Sequence, residues 1–345
     1  MKKLFTNRLF IFGFSIISLL LSISLGYWAI FEDHIPTTNL LKDENGDILR
    51  PPYNGSVYPP LGTDEFGRNI LMVMIVGFKY TILAGFLITF IRVIPSIFLG
   101  LVIHFYLGKL ERPIKSMADS INYFPVTLLA YFMLFYMSSH GIMMDDPAIP
   151  EFWGRVWFFV FILSIIFIPT NSVLIANEVK KIYNMEFIES SRVLGANTWR
   201  IITKHIRPFL VPQLYIIFIR EFIQTLVLMS HLGVLGIFIG GAVRKENLFG
   251  NAKSASISDE WTGLIGMWWQ YLWTSYPWIA IIPILGLTLL IIAAKSILEG
   301  IKEVIIIEEK VIHDNKQTIV IDPDIPPFQL LLLNKERERN SLKRL

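Results

Sequence analysis

A glycine-spaced segment near residue 65 comes closest to a phosphate-binding loop. Gly62 and Gly67 have the spacing of the G-x4-G-K-[ST] loop, whose backbone cradles nucleotide phosphates. Arg68 and Asn69 stand where that loop needs its Lys and its Ser or Thr. Because both phosphate-binding and magnesium-binding side chains are replaced, we expect no nucleotide site here.

The same segment has a simpler local interpretation. Asp64 can cap a helix that begins near Phe66, since a carboxylate readily accepts from free amides at a helix start. Arg68 can then pair with Asp64 or Glu65. We therefore predict an interfacial helix with its own ion pair.

Other kinds of chemistry are weakly represented. The chain has no cysteine, which excludes disulfides, cysteine metal sites and cysteine nucleophiles. Its six histidines are scattered, and neither H-E-x-x-H nor G-x-S-x-G occurs. We predict no catalytic residue and no metal site in this chain.

Polar side chains inside long apolar runs are candidates for function. Arg92 and Glu221 are a candidate pair between two helices, whereas Arg220 and Glu221 are neighbours that point about 100° apart and need not pair. Arg220, Gln224 and His231 share one helical face, which could line a polar pathway. A purely structural network between helices remains an equal alternative.

Residues 177–208, NEVKKIYNMEFIESSRVLGANTWRIITKHIRP, form a charged loop between two apolar runs. Gly195 interrupts a loosely helical stretch, because glycine easily adopts the positive φ of a turn. A second helical stretch, 198–206, ends at Pro208. We predict a helix–turn–helix on the cytoplasmic face, although a basic loop held at anionic lipid is the alternative.

The spacing of this loop resembles the coupling loop of ABC importer permeases, E-A-A-x3-G-x9-I-x-L-P. Small Ser side chains take both Ala positions, and His in place of Ile is typical of the peptide and nickel branch. Arg207 replaces the usual Leu. The positions that the resemblance assigns to ATPase docking are Glu189, Ser190, Ser191, Gly195, His205 and Pro208.

Other segments extend the resemblance over most of the chain. Four of them are similar to motifs of the oligopeptide/dipeptide/nickel permease family, in its second, C-type subunit: LGTDEFGRN (61–69), LGVLGIF (232–238), Trp261 with Gly263, and PWIAIIPILGLTLLIIAAKSILEGIKE (277–303). Met229 stands where that family commonly has an acidic residue, and Lys295 where it has Asn.

The resemblance implies a function and a set of partners. Two permeases, forming a heterodimer, work with two cytoplasmic ATP-binding subunits and an extracellular substrate-binding lipoprotein. ATP and Mg would be bound by the ATPases, so this chain needs no cofactor and is not itself an enzyme. Small peptides are the first expected substrate and nickel or metallophores the alternative. Membrane lipid is a further partner, and nucleic acid is not.

The elements that must position these residues are transmembrane helices. Hydrophobic residues make up 53% of the chain and charged residues 17%, against about a quarter charged in soluble domains. About 20 apolar residues cross a bilayer as a helix. We predict an all-α membrane protein with six spans, the type I ABC importer (MetI-like) architecture. The predicted spans are 9–30, 80–107, 120–137, 156–175, 209–242 and 275–297.

Lys and Arg indicate how these spans are oriented. With both termini inside, the inner segments hold 20 Lys and Arg and the outer segments hold 8. The excess favours cytoplasmic termini in a bacterial plasma membrane. The first run is long for a signal peptide and lacks a clear cleavage site, so we predict a retained helix.

These spans divide the chain into four regions. They are an N-terminal end with the first span (1–30), an extracellular loop with an interfacial helix (31–79), a five-helix permease core (80–300) that carries the cytoplasmic coupling loop (177–208), and a cytoplasmic tail (301–345). The tail has apolar runs among charges and no recognised counterpart. Docking, regulation and loose association with the membrane all remain open for it.

Two other classes of membrane protein remain as rivals. A secondary transporter would explain the spans and intramembrane charges, but not the coupling-loop spacing. A non-transporting scaffold is suggested by the divergent positions Ser190, Ser191, Arg207, Met229 and Lys295.

Overall fold

The computed structural model describes residues 4–41, 49, 51–108, 111–135, 152–248 and 250–317, which are mostly helical. The chain divides into two compact units, Met1–Ile301 and Lys302–Leu345. Described residues of the second unit, 302–317, are helical. The rest of the predicted tail lies outside the described residues.

The elements of the described residues follow in chain order. The helices are α1 (Arg8–Phe31), α2 (Ile70–Phe105), α3 (Glu111–Tyr123), α4 (Val126–Leu134), α5 (Phe152–Ile165), α6 (Ile168–Tyr183), α7 (Glu186–Val193), α8 (Thr198–Arg200), α9 (Arg207–Val234), α10 (Trp261–Trp268) and α11 (Pro277–Gln317). A π-helical stretch, Ile201–Ile206, joins α8 to α9.

A two-stranded hairpin was not anticipated by the all-α prediction. Strands β1 (Ala242–Glu246) and β2 (Ala252–Ser256) pair antiparallel, with Ala242 opposite Ser256. The predicted fifth span, 209–242, is therefore too long, because α9 ends at Val234. Gly236, Gly240 and Gly241 follow with positive φ angles, which suit glycine and turn the chain.

Four helical segments are long and apolar enough to cross a membrane: Arg8–Phe31, Ile70–Phe105, Thr198–Val234 and Pro277–Ile307. The pair α5 and α6 passes the same test together but bends by 43°, which makes five if the pair is one span. The proline at residue 169, in the first turn of α6, explains the bend, because it lacks the amide that would continue the ladder.

The third predicted span, 120–137, is not one helix in the described residues. Pro125 separates α3 from α4, as expected from the restricted backbone around proline. Helix α4 has only 9 residues. Residues 136–137 of the predicted span lie outside the described part of the chain.

The second span begins earlier than predicted. Helix α2 starts at Ile70, and the side chain of Asn69 caps it by accepting from the Met72 amide at 3.3 Å. The predicted helix near Phe66 is wrong. Asp64 instead accepts from the amides of Phe66 and Arg68, both at 2.9 Å, and closes a turn.

Three apolar clusters hold the helices together. The first joins α2, α9, α10 and α11 around the fully buried Trp268. The second joins α2, α4, α5 and α9 around Phe159 and Leu163. The third joins α6 and α9 to the segment between them, around Ile188 and Ile206. Each buries apolar surface that the chain would otherwise expose.

Candidate functional site

The segment between α6 and α9, residues 184–206, is the central part of the predicted docking loop 177–208, and we call it the coupling segment. Its inner face is anchored: Ile188, Ile201 and Ile206 are buried in the third apolar cluster, against residues of α6 and α9. Burial of each such side chain contributes roughly 1.5–3 kcal/mol. The segment is therefore a fixed part of the fold rather than a loose loop.

The outer face of the coupling segment is exposed and apolar at its tip. Val193, Leu194 and Trp199 are 85%, 88% and 73% exposed, respectively. They surround the turn at Gly195, whose φ of 81° ends α7. Clustered large apolar side chains at full exposure are typical of an interaction surface.

The turn at Gly195 closes α7 with two backbone hydrogen bonds. The Gly195 amide donates to the Arg192 carbonyl at 2.9 Å, and the Ala196 amide donates to the Ser191 carbonyl at 3.1 Å. A side chain at Gly195 would meet no other atom, so its conformation, not space, requires glycine. The predicted helix–turn–helix is thus present, but its second helix does not end at Pro208 as predicted: it continues through the π-helical stretch into α9, because a proline in the first turn of α9 does not interrupt it.

The predicted docking residues lie on this surface in different ways. Glu189, Ser190 and Pro208 are exposed, whereas Ser191 and His205 are half-buried. The hydroxyls of Ser190 and Ser191 donate to carbonyls one turn earlier in α7, at 3.1 and 2.9 Å. Both serines therefore present small, internally satisfied surfaces, as the pattern of small residues predicts.

Sequence reasoning missed the three apolar residues at the tip. Val193, Leu194 and Trp199 lie off the helical face that Ile188 shares with the core. The sequence did contain one signal for them, because apolar residues stand on both sides of the glycine in an otherwise charged loop.

Arg92 and Glu221 meet in the interior, as the sequence predicted. Arg92 Nη1 donates to Glu221 Oε2 at 3.1 Å, and both side chains are buried. Two partners were not anticipated: Arg92 Nη2 donates to the Leu163 carbonyl at 2.8 Å, and the guanidinium lies 4.1 Å from the centre of the Phe167 ring. A charge this deep needs such partners.

The predicted polar face of α9 points away from the chain's own core. Gln224 and His231 are exposed, and the Arg220 side chain is 41% exposed. Arg220 Nη2 also lies 3.5 Å from Glu221 Oε1, although neighbours on a helix need not pair. His231 Nδ1 lies 3.5 Å from the hydroxyl of Thr127 on α4.

The glycine-spaced segment near residue 65 is filled by the chain itself. The amide of Thr38, from an earlier part of the chain, donates to the Gly67 carbonyl at 2.8 Å. A Cβ at residue 67 would lie 2.4 Å from the Thr38 carbonyl oxygen, so no space is left there for a phosphate. Arg68 forms the predicted pair with Asp64 at 2.8 Å. It also pairs with Asp259 at 2.8 Å. The segment is a structural junction.

Charge explains why this junction holds. Burial lowers the pKa of Arg68, but the carboxylates of Asp64 and Asp259 raise it further, so its net pKa is raised. Arg68 therefore stays charged and binds the start of α2 to the residues before α10.

Glu260 is a second buried carboxylate beside that junction. It accepts from the Ile239 amide at 3.0 Å, from the Ser256 hydroxyl at 2.7 Å and from the Ser258 hydroxyl. Burial raises the pKa of Glu260, and these hydrogen bonds only partly offset the rise. Glu260 ties the base of the hairpin to the turn that follows α9.

Metal ligands do not gather anywhere in the described residues: no three His, Asp or Glu side chains lie together as a potential metal site.

Comparison with known proteins places this geometry in a family. Residues 70–303, more than half of the chain, match the model of the binding-protein-dependent transport system inner membrane component. The match includes the coupling segment, Arg92, Glu221 and the exposed face of α9. It begins at the first residue of α2 and ends within α11.

Curated relatives carry permease names. A glutathione transport system permease protein, GsiD, of Pectobacterium atrosepticum is 25% identical over 70% of each chain. A dipeptide transport system permease protein, DppC, of Alkalihalophilus pseudofirmus is 23% identical over 88% of this chain and 86% of its own. DppC of Haemophilus influenzae is 26% identical over 65% of this chain and 70% of its own.

The family match and the apolar helices agree that this is a multi-pass membrane protein. The chain therefore belongs to the family of inner membrane components of binding-protein-dependent transport systems, the permeases of ABC transporters.

Proposed function

We propose that this chain is one permease subunit of an ATP-driven importer of small peptides. The observation that carries the proposal is the two-sided coupling segment, which is anchored inside by Ile188 and exposes Val193, Leu194 and Trp199 outside. A surface fixed to two spans and apolar at its tip suits the transfer of movement from a docked protein.

The docked protein is a separate cytoplasmic ATPase, which holds ATP and Mg. Glu189 lies on α7 close to the apolar tip and would face basic groups of the ATPase. Gly195 makes the turn that presents the surface, while Ser190 and Ser191 allow close approach. His205 and Pro208 hold the far end of the segment near α9. Hydrolysis then belongs to the whole complex and not to this chain.

The exposed polar face of α9 is proposed to meet the second permease and the substrate pathway. Arg220, Gln224 and His231 are costly against lipid, so a protein or aqueous neighbour is the favourable environment. The two permeases would form a heterodimer around this face. Peptide carbonyl and carboxylate groups suit its donors.

Six spans and cytoplasmic termini complete the proposal. Four spans before the coupling segment would be α1, α2, a span that includes α4, and the pair α5–α6, followed by α9 and α11. Contacts support the alternation: the start of α2 contacts Asp259, beyond the end of α9, and the end of α2 packs with the coupling segment's cluster. The excess of Lys and Arg puts that cluster on the cytoplasmic side.

Small peptides are the proposed substrate because the relatives named above transport glutathione or dipeptides by name. The family description implies a binding protein, and we propose that it is an extracellular lipoprotein that delivers the peptide. Nickel and metallophore import is less favoured by these relatives.

Purification of the chain from its own membranes in mild detergent tests the proposal. We expect one or two ATPases with nucleotide-binding motifs and a second permease in the purified complex. After reconstitution with the binding protein, the complex should take up labelled dipeptide or glutathione only with ATP inside. A chain that purifies alone, under conditions that preserve known complexes, would contradict the proposal and favour a secondary transporter.

A further inference from the structure

The break between α5 and α6 leaves backbone carbonyls without their helical partners. Residue 169 is proline, so it has no amide to donate to the Ile165 carbonyl. The Phe167 amide donates to the Ser164 carbonyl at 3.3 Å instead of to Leu163, its partner in a regular helix. The Leu163 carbonyl therefore needs another donor in an apolar interior.

Arg92 supplies that donor and covers the break. Its Nη2 donates to the Leu163 carbonyl at 2.8 Å, while its guanidinium lies over the ring of Phe167 at 4.1 Å. One side chain thus contacts the last turn of α5 and the residue that precedes α6. The planar guanidinium can do both, because it donates in its plane and stacks on its face.

Two serines, one next to Leu163 and one a helical turn after Arg92, lie where the two sides of the break approach α2. The Ser164 hydroxyl donates to the Val160 carbonyl of its own helix at 2.7 Å and lies 3.1 Å from the Ile88 carbonyl oxygen of α2. The Ser96 hydroxyl donates to the Arg92 carbonyl at 2.7 Å and lies 3.3 Å from the Ile168 carbonyl oxygen, at the start of α6. Arg92 lies midway between Ile88 and Ser96, so both sides of the break are in close polar contact with α2 around it.

The same guanidinium reaches the other arm of the coupling segment. Arg92 Nη1 donates to Glu221 on α9, and one turn away Thr89 and Thr225 have hydroxyl oxygens 3.5 Å apart. Helix α6 enters the coupling segment at Tyr183, and α9 leaves it from Arg207. Arg92 is therefore hydrogen-bonded to α9 and stacked on Phe167, the residue that precedes α6, so its guanidinium lies between the two arms.

We propose that Arg92 is the positioning residue that holds α6 and α9 in a fixed relation, so that movement of the coupling segment reaches both helices as one body. This inference rests on the proposed function of the coupling segment. A lysine keeps the charge but has no fork to bind Glu221 and Leu163 together and no plane to stack on Phe167. Its single ammonium leaves one of the arms unbound.

The natural absence of cysteine allows a direct distance measurement. Cysteines replace Lys181 on α6 and Tyr215 on α9, whose side chains are exposed, and both carry spin labels. Double electron–electron resonance measures the distance between the two spin labels in the assembled complex in nanodiscs, first without nucleotide and then with trapped ATP. The variants are R92Q, R92K and, as control, K295Q, which removes an exposed cation from α11.

For the unsubstituted background and for K295Q we expect one narrow distance that nucleotide does not change. For R92Q and R92K we expect a broadened or divided distribution, with dipeptide uptake per ATP hydrolysed at least tenfold lower and ATPase binding retained. A narrow, unchanged distance in R92Q together with unchanged uptake per ATP would overturn the inference.

If R92Q does not assemble, the R92K variant tests the inference instead, because it retains the buried positive charge beside Glu221. A narrow distance in R92K would then overturn the inference. Failure of the proposed function gives a different result: the complex without an Arg92 substitution would then lack ATPase partners or uptake, while the distance comparison would still test Arg92 in the isolated chain.

Discussion

Arg68 and Asp259, 191 residues apart in sequence, form a buried pair in which one guanidinium nitrogen lies 2.8 Å from each carboxylate oxygen. The same guanidinium also binds Asp64 through Nε at 2.8 Å. All three side chains are largely excluded from solvent. The start of α2 is therefore tied to the residues before α10 by a single cation between two anions.

The first prediction concerns this cation. Arg68→Met should destabilise the protein by about 3–5 kcal/mol, because it leaves two carboxylates buried without their partner. The measurement is thermal unfolding of purified protein in detergent. Arg244→Met, which removes an exposed arginine from β1, is the control. Equal unfolding temperatures for the two variants would contradict a structural role for the pair.

The second prediction concerns Glu189. Glu189→Arg should leave the protein inserted and folded, since the side chain is exposed, but reduce co-purification of the ATPase at least tenfold. Arg112→Glu on α3, another exposed charge reversal, is the control. Peptide uptake at the unsubstituted rate by the Glu189 variant would remove its docking role.

The third prediction concerns the apolar tip of the coupling segment. Trp199→Ala should weaken ATPase binding by about 2 kcal/mol, roughly 30-fold, as is usual for an aromatic anchor at an interface. Its thermal stability should not fall, because Trp199 is 73% exposed in this chain. Trp273→Ala, at a tryptophan that is 83% exposed and lies outside the coupling segment, should bind the ATPase normally. Titration of purified ATPase measures the difference.

The fourth prediction concerns the contact between α9 and α10. A Cβ at Gly266 would lie 1.9 Å from the Gly233 carbonyl oxygen, a distance that no packing tolerates. Gly266→Ala should therefore separate the helices and destabilise the protein by about 1–3 kcal/mol. Gly26→Ala on α1, where an added Cβ meets no atom within 4 Å, is the control. Unfolding temperatures that match between the two would refute the close contact.

The fifth prediction concerns Glu260. Because burial raises its pKa in the folded protein, its contribution to stability is full below the pKa of an unfolded glutamate, about 4.3, and is lost as pH rises through the folded value. Glu260→Gln should flatten this decline. Unfolding temperatures from pH 5 to pH 8.5 measure it. An unchanged slope in the variant would assign the decline to another group.

The long apolar runs allowed the helices to be predicted from the sequence, whereas the position of each helix end depended on single residues. The first predicted span matches α1 to within a residue at each end. The fifth was too long because hydropathy continues past Val234 through apolar residues that glycines redirect into a turn. Pro125 and the proline at residue 169 each lie where a predicted span is split into two helices. Hydrophobic composition alone does not reveal such backbone effects.

The candidate site was predictable where one charge required another. Arg92 and Glu221 were paired from sequence because each is costly in lipid alone. Leu163 and Phe167 were missed, since a free carbonyl and a ring face appear only once the helix is broken. Asp259 as the second partner of Arg68 was missed as well, because nothing in sequence signals a contact across 191 residues.

The Arg92 pair also has a consequence for how the chain is made. Glu221 follows Arg92 by 129 residues. Ribosomes add about 5–20 residues per second, so Glu221 is synthesised roughly 6–26 s after Arg92. During that time α2 has left the ribosome with an unneutralised arginine, which costs about 2.5–3.5 kcal/mol at the centre of a newly inserted helix. The apolar residues of α2 must offset this cost in the meantime, so we expect the Arg92–Glu221 pair to stabilise the protein only after α9 has been synthesised.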